Sequence, residues 1–184
     1  MIKKIVALLC VLFLMSSCGV IDTVKNGLGN QEPTAPEEPI KEVLQTINID
    51  FGSSPNIVSD NSHIYIIYVK EKDIYAKKYY LDFTPIKGGT FDNRTFESQP
   101  TRVTRSENIE KVGLSDFNNF IFRLNYLTTD GKYYYAESYR DFGLMNKKEK
   151  DSIDIKLLDT LTISNKTYKV SEKDGKIIAE EISK

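Results

Sequence analysis

From residue 46 onward, apolar and polar positions alternate in short runs. Ile47, Ile49 and Phe51 stand between polar residues until Gly52, Ser53, Ser54 and Pro55 break the run, and this period of two places the apolar set on one face of a β-strand. His63 to Lys70 and Asp73 to Phe83 form the clearest pair. With Glu71-Lys72 as the turn, Val69 faces Ile74, Ile67 faces Ala76 and Tyr68 faces Tyr75. Both faces of that pair are largely apolar or aromatic, which predicts an interior position in preference to an exposed edge. Phe120 to Thr128 alternates in the same way and leads through Asp130-Gly131 into Lys132 to Arg140. A two-residue loop would set Glu137 opposite Leu124 on the apolar face. The three-residue loop Thr129-Asp130-Gly131 instead pairs Leu124 with Ala136 and Tyr126 with Tyr134, burying no carboxylate.

Further on, Ile153, Ile155, Leu157, Leu161 and Ile163 keep one parity, as a strand would. A turn at Asn165-Lys166 sets Ile163 opposite Tyr168 and Leu161 opposite Val170, and Asp174-Gly175 returns the chain through Ile177 and Ile178. Other stretches are less regular. Residues 84–106, with Gly88-Gly89 and Pro100, read as a long irregular connection of the kind that carries function or moves. Asn108 to Asn119 fits a short helix or an irregular strand, with Gly113 interrupting either, and Lys147 to Asp151 reads as a charged connector. Residues 19–45 read as a tether punctuated by Gly27, Gly29, Pro33, Pro36 and Pro39, with one helical turn over Pro39 to Gln45 from the spacing of Ile40, Val43, Leu44 and Ile47.

The predicted fold is therefore mainly β: an antiparallel, meander-rich sandwich or open barrel of roughly eight or nine strands over residues 46–184. Residues 56–86 look like one blade of a β-propeller, but no second copy follows at a blade-sized period, and a ring needs at least four.

The first eighteen residues follow another pattern. Lys3 and Lys4 precede an apolar run from Ile5 to Met15, closed by Ser16-Ser17-Cys18. That run of about eleven residues falls short of the roughly 20 that span a bilayer. The segment resembles a bacterial lipoprotein signal, with Met15 where leucine is usual. The resemblance implies removal of residues 1–17, attachment of a diacylglycerol to Cys18, and a chain anchored to a membrane through Cys18 without spanning it, at the outer membrane or cell surface. The expected organisation is a signal peptide over 1–17, a lipidated N-terminus and flexible tether over 18–45, and one β-rich domain over 46–184.

Composition then removes whole classes of chemistry. Cleavage takes Lys3 and Lys4 from the 25 basic residues, leaving 23 against 26 acidic ones, a formal charge of −3. This argues against a nucleic-acid partner, which would call for a concentrated basic face. The two cysteines are Cys10, which leaves with the signal, and Cys18, which the lipid consumes, so no thiol remains for a disulfide, a metal or a nucleophile. His63 is the single histidine and begins an alternating run, where a strand-end residue is expected; no G-x-S-x-G elbow accompanies it. No cofactor, metal site or catalytic residue is called, and a paired-carboxylate hydrolase is a remote alternative.

The compositional oddity is 11 tyrosines without tryptophan, including Tyr79-Tyr80 and Tyr133-Tyr134-Tyr135. Strand neighbours point to opposite faces, so each run must turn at least one ring away from the main core, where tyrosine offers large contact area at low entropic cost. Arg94, Arg102 and Arg105 lie in or beside residues 84–106, as candidate partners for an anionic group. Three triplets, Asp22-Thr23-Val24, Asp151-Ser152-Ile153 and Asp159-Thr160-Leu161, are similar to the O-glycosylation signal of exported Bacteroidota proteins. The sequence thus points to binding rather than catalysis. The candidate surface comprises Tyr79, Tyr80, Tyr133, Tyr134, Tyr135, Arg102 and Arg105, for an unknown protein or glycan partner. An assembly or scaffolding subunit of an envelope complex is the competing reading.

Overall fold

The computed structural model describes residues 42–91, 94–118, 121–139 and 143–183; the expected signal peptide, Cys18 and nearly all of the expected tether lie outside them. Among the described residues there are fourteen strands and no helix. They run β1 (Val43–Phe51), β2 (Ser53–Ser59), β3 (His63–Lys70), β4 (Asp73–Tyr80), β5 (Lys87–Phe91), β6 (Arg94–Glu97), β7 (Thr101–Arg102), β8 (Ile109–Phe117), β9 (Ile121–Thr128), β10 (Tyr133–Tyr139), β11 (Leu144–Lys150), β12 (Thr160–Ile163), β13 (Lys166–Lys173) and β14 (Lys176–Ile182).

Three four-stranded antiparallel sheets result, in the orders β2-β3-β4-β7, β11-β10-β9-β8 and β1-β14-β13-β12, with β5 and β6 as a separate ribbon. The first of these lies between the other two. Tyr65, Ile67, Val69, Ile74 and Ala76 leave one of its faces to meet Val112, Leu114, Phe122, Leu124 and Tyr126 of β8 and β9. Ile64, Ile66, Tyr68 and Tyr79 leave the other to meet Ile49, Tyr168, Val170, Ile177 and Ala179 of β1, β13 and β14. The expected antiparallel sandwich is therefore three layers deep. Its interior sheet is the one whose sequence is apolar on both faces, as the β3–β4 pair predicted.

The β3–β4 register is the expected one, with Val69 opposite Ile74 and Tyr68 opposite Tyr75. Glu71 and Lys72 both take φ above zero, 51° and 63°, as a two-residue turn matching the strand twist requires. The β9–β10 hairpin likewise pairs Leu124 with Ala136 and Tyr126 with Tyr134. The β12–β13 hairpin differs by one residue. Ser164 and Asn165 are its left-handed pair, so Leu161 faces Tyr168 and Ile163 faces Lys166, correcting the turn placed at Asn165-Lys166.

Several irregular readings are also corrected. Residues 84–106 hold β5, β6 and β7 rather than one loose connection. Residues 144–150 form an edge strand along β10, where charge guards an open edge. Of the short helix and the irregular strand left open for residues 108–119, the strand is found: residues 109–117 form β8, irregular through two bulges, between Ile109 and Lys111 and between Leu114 and Asp116. Val43 and Leu44 begin β1 rather than ending a helical turn.

Residues 152–159 are not a strand either. They form a strap from β11 to β12, fixed by the Asn125 side-chain amide donating to the Asp154 carbonyl at 3.2 Å and by Ile57 N–H donating to the Leu158 carbonyl at 2.7 Å. Gly113 lies beneath it: a Cβ there would sit 2.3 Å from the Lys156 carbonyl oxygen.

One side chain ties these pieces together. Asn56 of β2 is 0% exposed. Its amide donates to the carbonyls of Ser54 (2.9 Å) and Val112 (3.1 Å), and its oxygen accepts from Leu114 N–H (3.3 Å) and Leu158 N–H (3.0 Å). Asn56→Ala leaves those four backbone groups without their partner, and should cost roughly 3 kcal/mol or more of folding stability. Asn56→Asp keeps the volume but turns a second acceptor towards two carbonyls, so it should be no more stable than the alanine variant at pH 7. Urea denaturation of both variants measures the loss, and a change below about 1 kcal/mol in either would contradict this role.

Candidate functional site

The strand parities separate the nominated residues. Tyr79 is 1% exposed, within ring contact of Phe83 at 5.2 Å, so it belongs to the core between sheets and is removed from the candidate surface. Its hydroxyl is buried without a hydrogen-bond partner. Burial, followed by the negative charges of Glu97 and Asp50, drives its pKa far above the usual tyrosine value. Tyr80 points the other way, exposed, and stacks on His63 with ring centroids 5.8 Å apart. His63 is the first residue of β3, the strand end anticipated for it.

Arg102 lies on the edge strand β7 and pairs with Asp73, a buried carboxylate that also accepts from the Thr104 hydroxyl at 2.7 Å. Burial alone would raise the Asp73 pKa, but the hydrogen bonds from Thr104 and Arg102 and from the Glu107 and Ser106 backbone together hold it below the ordinary value. Arg102 is thus a clamp on a structural acid. Arg105 is exposed in the loop after β7, and neither residue shares a sheet with the tyrosine triplet.

That triplet begins β10, and alternation divides it. Tyr134 faces inward, stacked on Tyr126 at 5.4 Å, with Lys147 Nζ 4.4 Å from its ring centroid and its hydroxyl donating to Glu149 at 3.2 Å. Tyr133 and Tyr135 take the outer face with Glu137 and Tyr139. Tyr133 lies opposite Leu127 and Lys150, Tyr135 opposite Asn125 and Lys148, and Glu137 opposite Arg123 and Met145.

On this outer face Glu137 organises its neighbours. One carboxylate oxygen accepts from the Tyr135 hydroxyl (2.9 Å) and from Arg123 Nε (3.4 Å), and the other accepts from the Asn146 amide (2.6 Å). Arg123 also pairs with Asp116 of β8. The hydrogen bond from Asn146, then that from Tyr135, then Arg123, outweigh partial burial and hold the Glu137 pKa below its ordinary value. Glu137 is therefore a fixed anion at neutral pH, and it orients an arginine, an amide and a phenol that all face solvent. Chemically this is a preorganised hydrogen-bonding and stacking surface.

Sequence reasoning missed Arg123, Glu137, Asn146, Lys148 and Lys150. The first two were within reach: the register that pairs Leu124 with Ala136 also sets Arg123 opposite Glu137, an opposite-charge pair across the ladder. The others were hidden because β11 read as a connector. No family model, curated protein or solved structure matches the chain. The site must be read from its own geometry.

Two measurements check these assignments. Tyr79→Phe deletes an unpartnered hydroxyl and should leave stability unchanged or raise it by up to about 1 kcal/mol, whereas Tyr79→Ala should cost about 3 to 5 kcal/mol. A destabilised phenylalanine variant would show that the hydroxyl has a partner. The second concerns acid. Asp73 and Asp50 are both lowered from 3.8, so the stability they confer is fully present above that unfolded-state value and is lost as pH falls through their lower folded-state values. Stability measured from pH 7 to pH 2 should fall mainly below pH 3.8, and Asp73→Asn should flatten part of that decline.

Proposed function

We propose that this protein is a lipid-anchored bacterial envelope protein whose β-domain acts by binding, through the outer face of β9, β10 and β11. Tyr135, Arg123 and Asn146 carry the reading: three side chains of different chemistry are locked on one carboxylate and turned to solvent on a rigid sheet. Fixing rotamers before a partner arrives lowers the entropic cost of association, which is the arrangement a binding surface favours. The lipoprotein-like segment ending at Cys18 supports the location, since two or three acyl chains hold a protein to a membrane stably where one does so marginally.

Cys18→Ser should move the protein from the membrane fraction to the soluble fraction with its far-ultraviolet circular dichroism unchanged. A variant still wholly in the membrane fraction would remove the anchoring half of the proposal. Protease shaving of intact cells should degrade the wild-type domain at the cell surface, and protection until the envelope is opened would place it on the periplasmic side. A photoreactive group at position 135 should capture a partner in whole cells. No capture there, with function retained in a Tyr135→Ala, Arg123→Ala double variant, would sink the binding half.

A further inference from the structure

We propose that the Tyr133–Tyr135 and Lys148–Lys150 part of this face binds an acidic polysaccharide, a step that rests on the binding reading above and names its ligand class. The register supplies the geometry. Tyr133 lies directly opposite Lys150 and Tyr135 directly opposite Lys148, so two rings and two ammonium groups share one face of two adjacent strands. Residues two apart on a strand are about 7 Å apart, and opposed residues about 5 Å, so the four side chains leave the backbone from one small patch.

The charges of β11 are segregated by face. Lys147 and Glu149 point to the inner side and are both engaged, Lys147 with Glu107 and Tyr134, and Glu149 with the Tyr134 hydroxyl. Lys148 and Lys150 point outward and, among the described residues, have no ion pair, hydrogen bond or ring contact. Guarding a sheet edge requires charge but not one sign per face. Two cations without an ion-pair partner among the described residues, set beside two half-buried tyrosine rings, do more than guard an edge: they place positive charge next to aromatic surface. Glu137 does not bind either lysine: its oxygens are already occupied by Tyr135, Asn146 and the Arg123 that it shares with Asp116.

The chemistry selects among anionic partners. A sugar chain bearing carboxylate, phosphate or sulfate groups can lay the C–H face of a ring on tyrosine while its anions meet the lysines. An anionic membrane calls for a larger basic cluster, typically four to eight residues, than this patch holds. A protein interface would centre on a desolvated apolar core. Here the centre is Tyr135, Glu137, Arg123 and Asn146, and among the described residues Tyr139 is the one exposed large hydrophobic side chain on this face.

The test uses the mature, detergent-solubilised protein and titrates it with polygalacturonate, neutral dextran and phosphatidylglycerol vesicles. Polygalacturonate should bind, and bind more weakly as salt rises from 50 to 500 mM, while dextran should not. Lys148→Gln with Lys150→Gln should weaken binding about tenfold, as should Tyr133→Ala with Tyr135→Ala, whereas Lys169→Gln on β13 should leave it unchanged. Circular dichroism confirms that each variant is folded. Equal binding by the lysine double variant, equal affinity for dextran, or binding to the vesicles alone would overturn the polysaccharide assignment. If polygalacturonate fails to bind while the photoreactive group at position 135 captures a protein, the ligand class falls and the binding reading stands; if both fail, both fall.

Discussion

Asn56 sits where water cannot reach, and its four hydrogen bonds join segments far apart in the sequence: its own strand, β8 in one outer sheet, and the strap that leads to the other outer sheet. A buried amide in an apolar surround is stable only when its donors and acceptors are met. Here they can be met only if β2, β8 and residue 158 are all in place, so the side chain works as a condition on assembly. Ile57 N–H and the Leu158 carbonyl close the same junction from the backbone, covering the open edge of the central sheet where it would otherwise invite another strand. Gly113 belongs to the same arrangement, because any side chain there would collide with the strap.

With that junction made, the rest follows from the central sheet. β3 is buried along nearly its whole length and must be covered twice, which a single partner sheet cannot do. The two clusters that cover it are built differently. One combines Phe122, Leu124 and Tyr126 with the isoleucines and valines of β3 and β4. The other combines Tyr68, Tyr79 and Tyr168 with smaller residues. Tyr68 keeps its hydroxyl in that interior by donating to Asp50 at 2.6 Å, and Asp50 in turn meets Lys70 at 3.0 Å.

What the sequence discloses tracks how strictly each segment obeys period two. The β3–β4 and β9–β10 pairs run without a bulge from a turn that the residues mark, and their registers can be written down from the residues alone. The β12–β13 turn fails by one residue because Asn165, the natural left-handed residue, is the second member of its turn, and Ser164, a less usual choice, is the first. β8 could be read only as an irregular strand or a short helix, because its core positions Ile109, Val112, Leu114 and Phe117 are spaced three, two and three, the mark of a strand with two bulges. Residues 153–157 fail in the opposite sense, since their even parity belongs to an irregular strap. The candidate site divides along the same line. Alternation predicts that one of Tyr79 and Tyr80 is buried but not which. The engaged and free lysines of β11 could not be told apart until that segment was known to be a strand.

A three-layer stack also constrains where a surface can act. The central sheet holds much of the apolar side-chain mass and is covered on both faces, so among the described residues the broad regular surfaces are the outer sides of the two outer sheets. On β13 and β12 the residues alternating with the buried Tyr168 and the half-buried Leu161 are Thr167, Lys169, Ser171, Thr160 and Thr162, mostly short side chains, and Thr162 and Thr167 contact each other at 3.1 Å. Short hydroxyls give little contact area on these two strands, whereas β1 of the same sheet exposes Val43, Leu44 and Phe51. On the sheet of β8 to β11, the strap leaves β11 after Lys150 and is fixed at Asn125 of β9 and over Gly113 of β8, beside the tyrosines, Glu137 network and lysines of the β10–β11 face. The Asn56 junction that closes the core thus also fixes the far end of the strap, and with it the path the strap takes across this sheet.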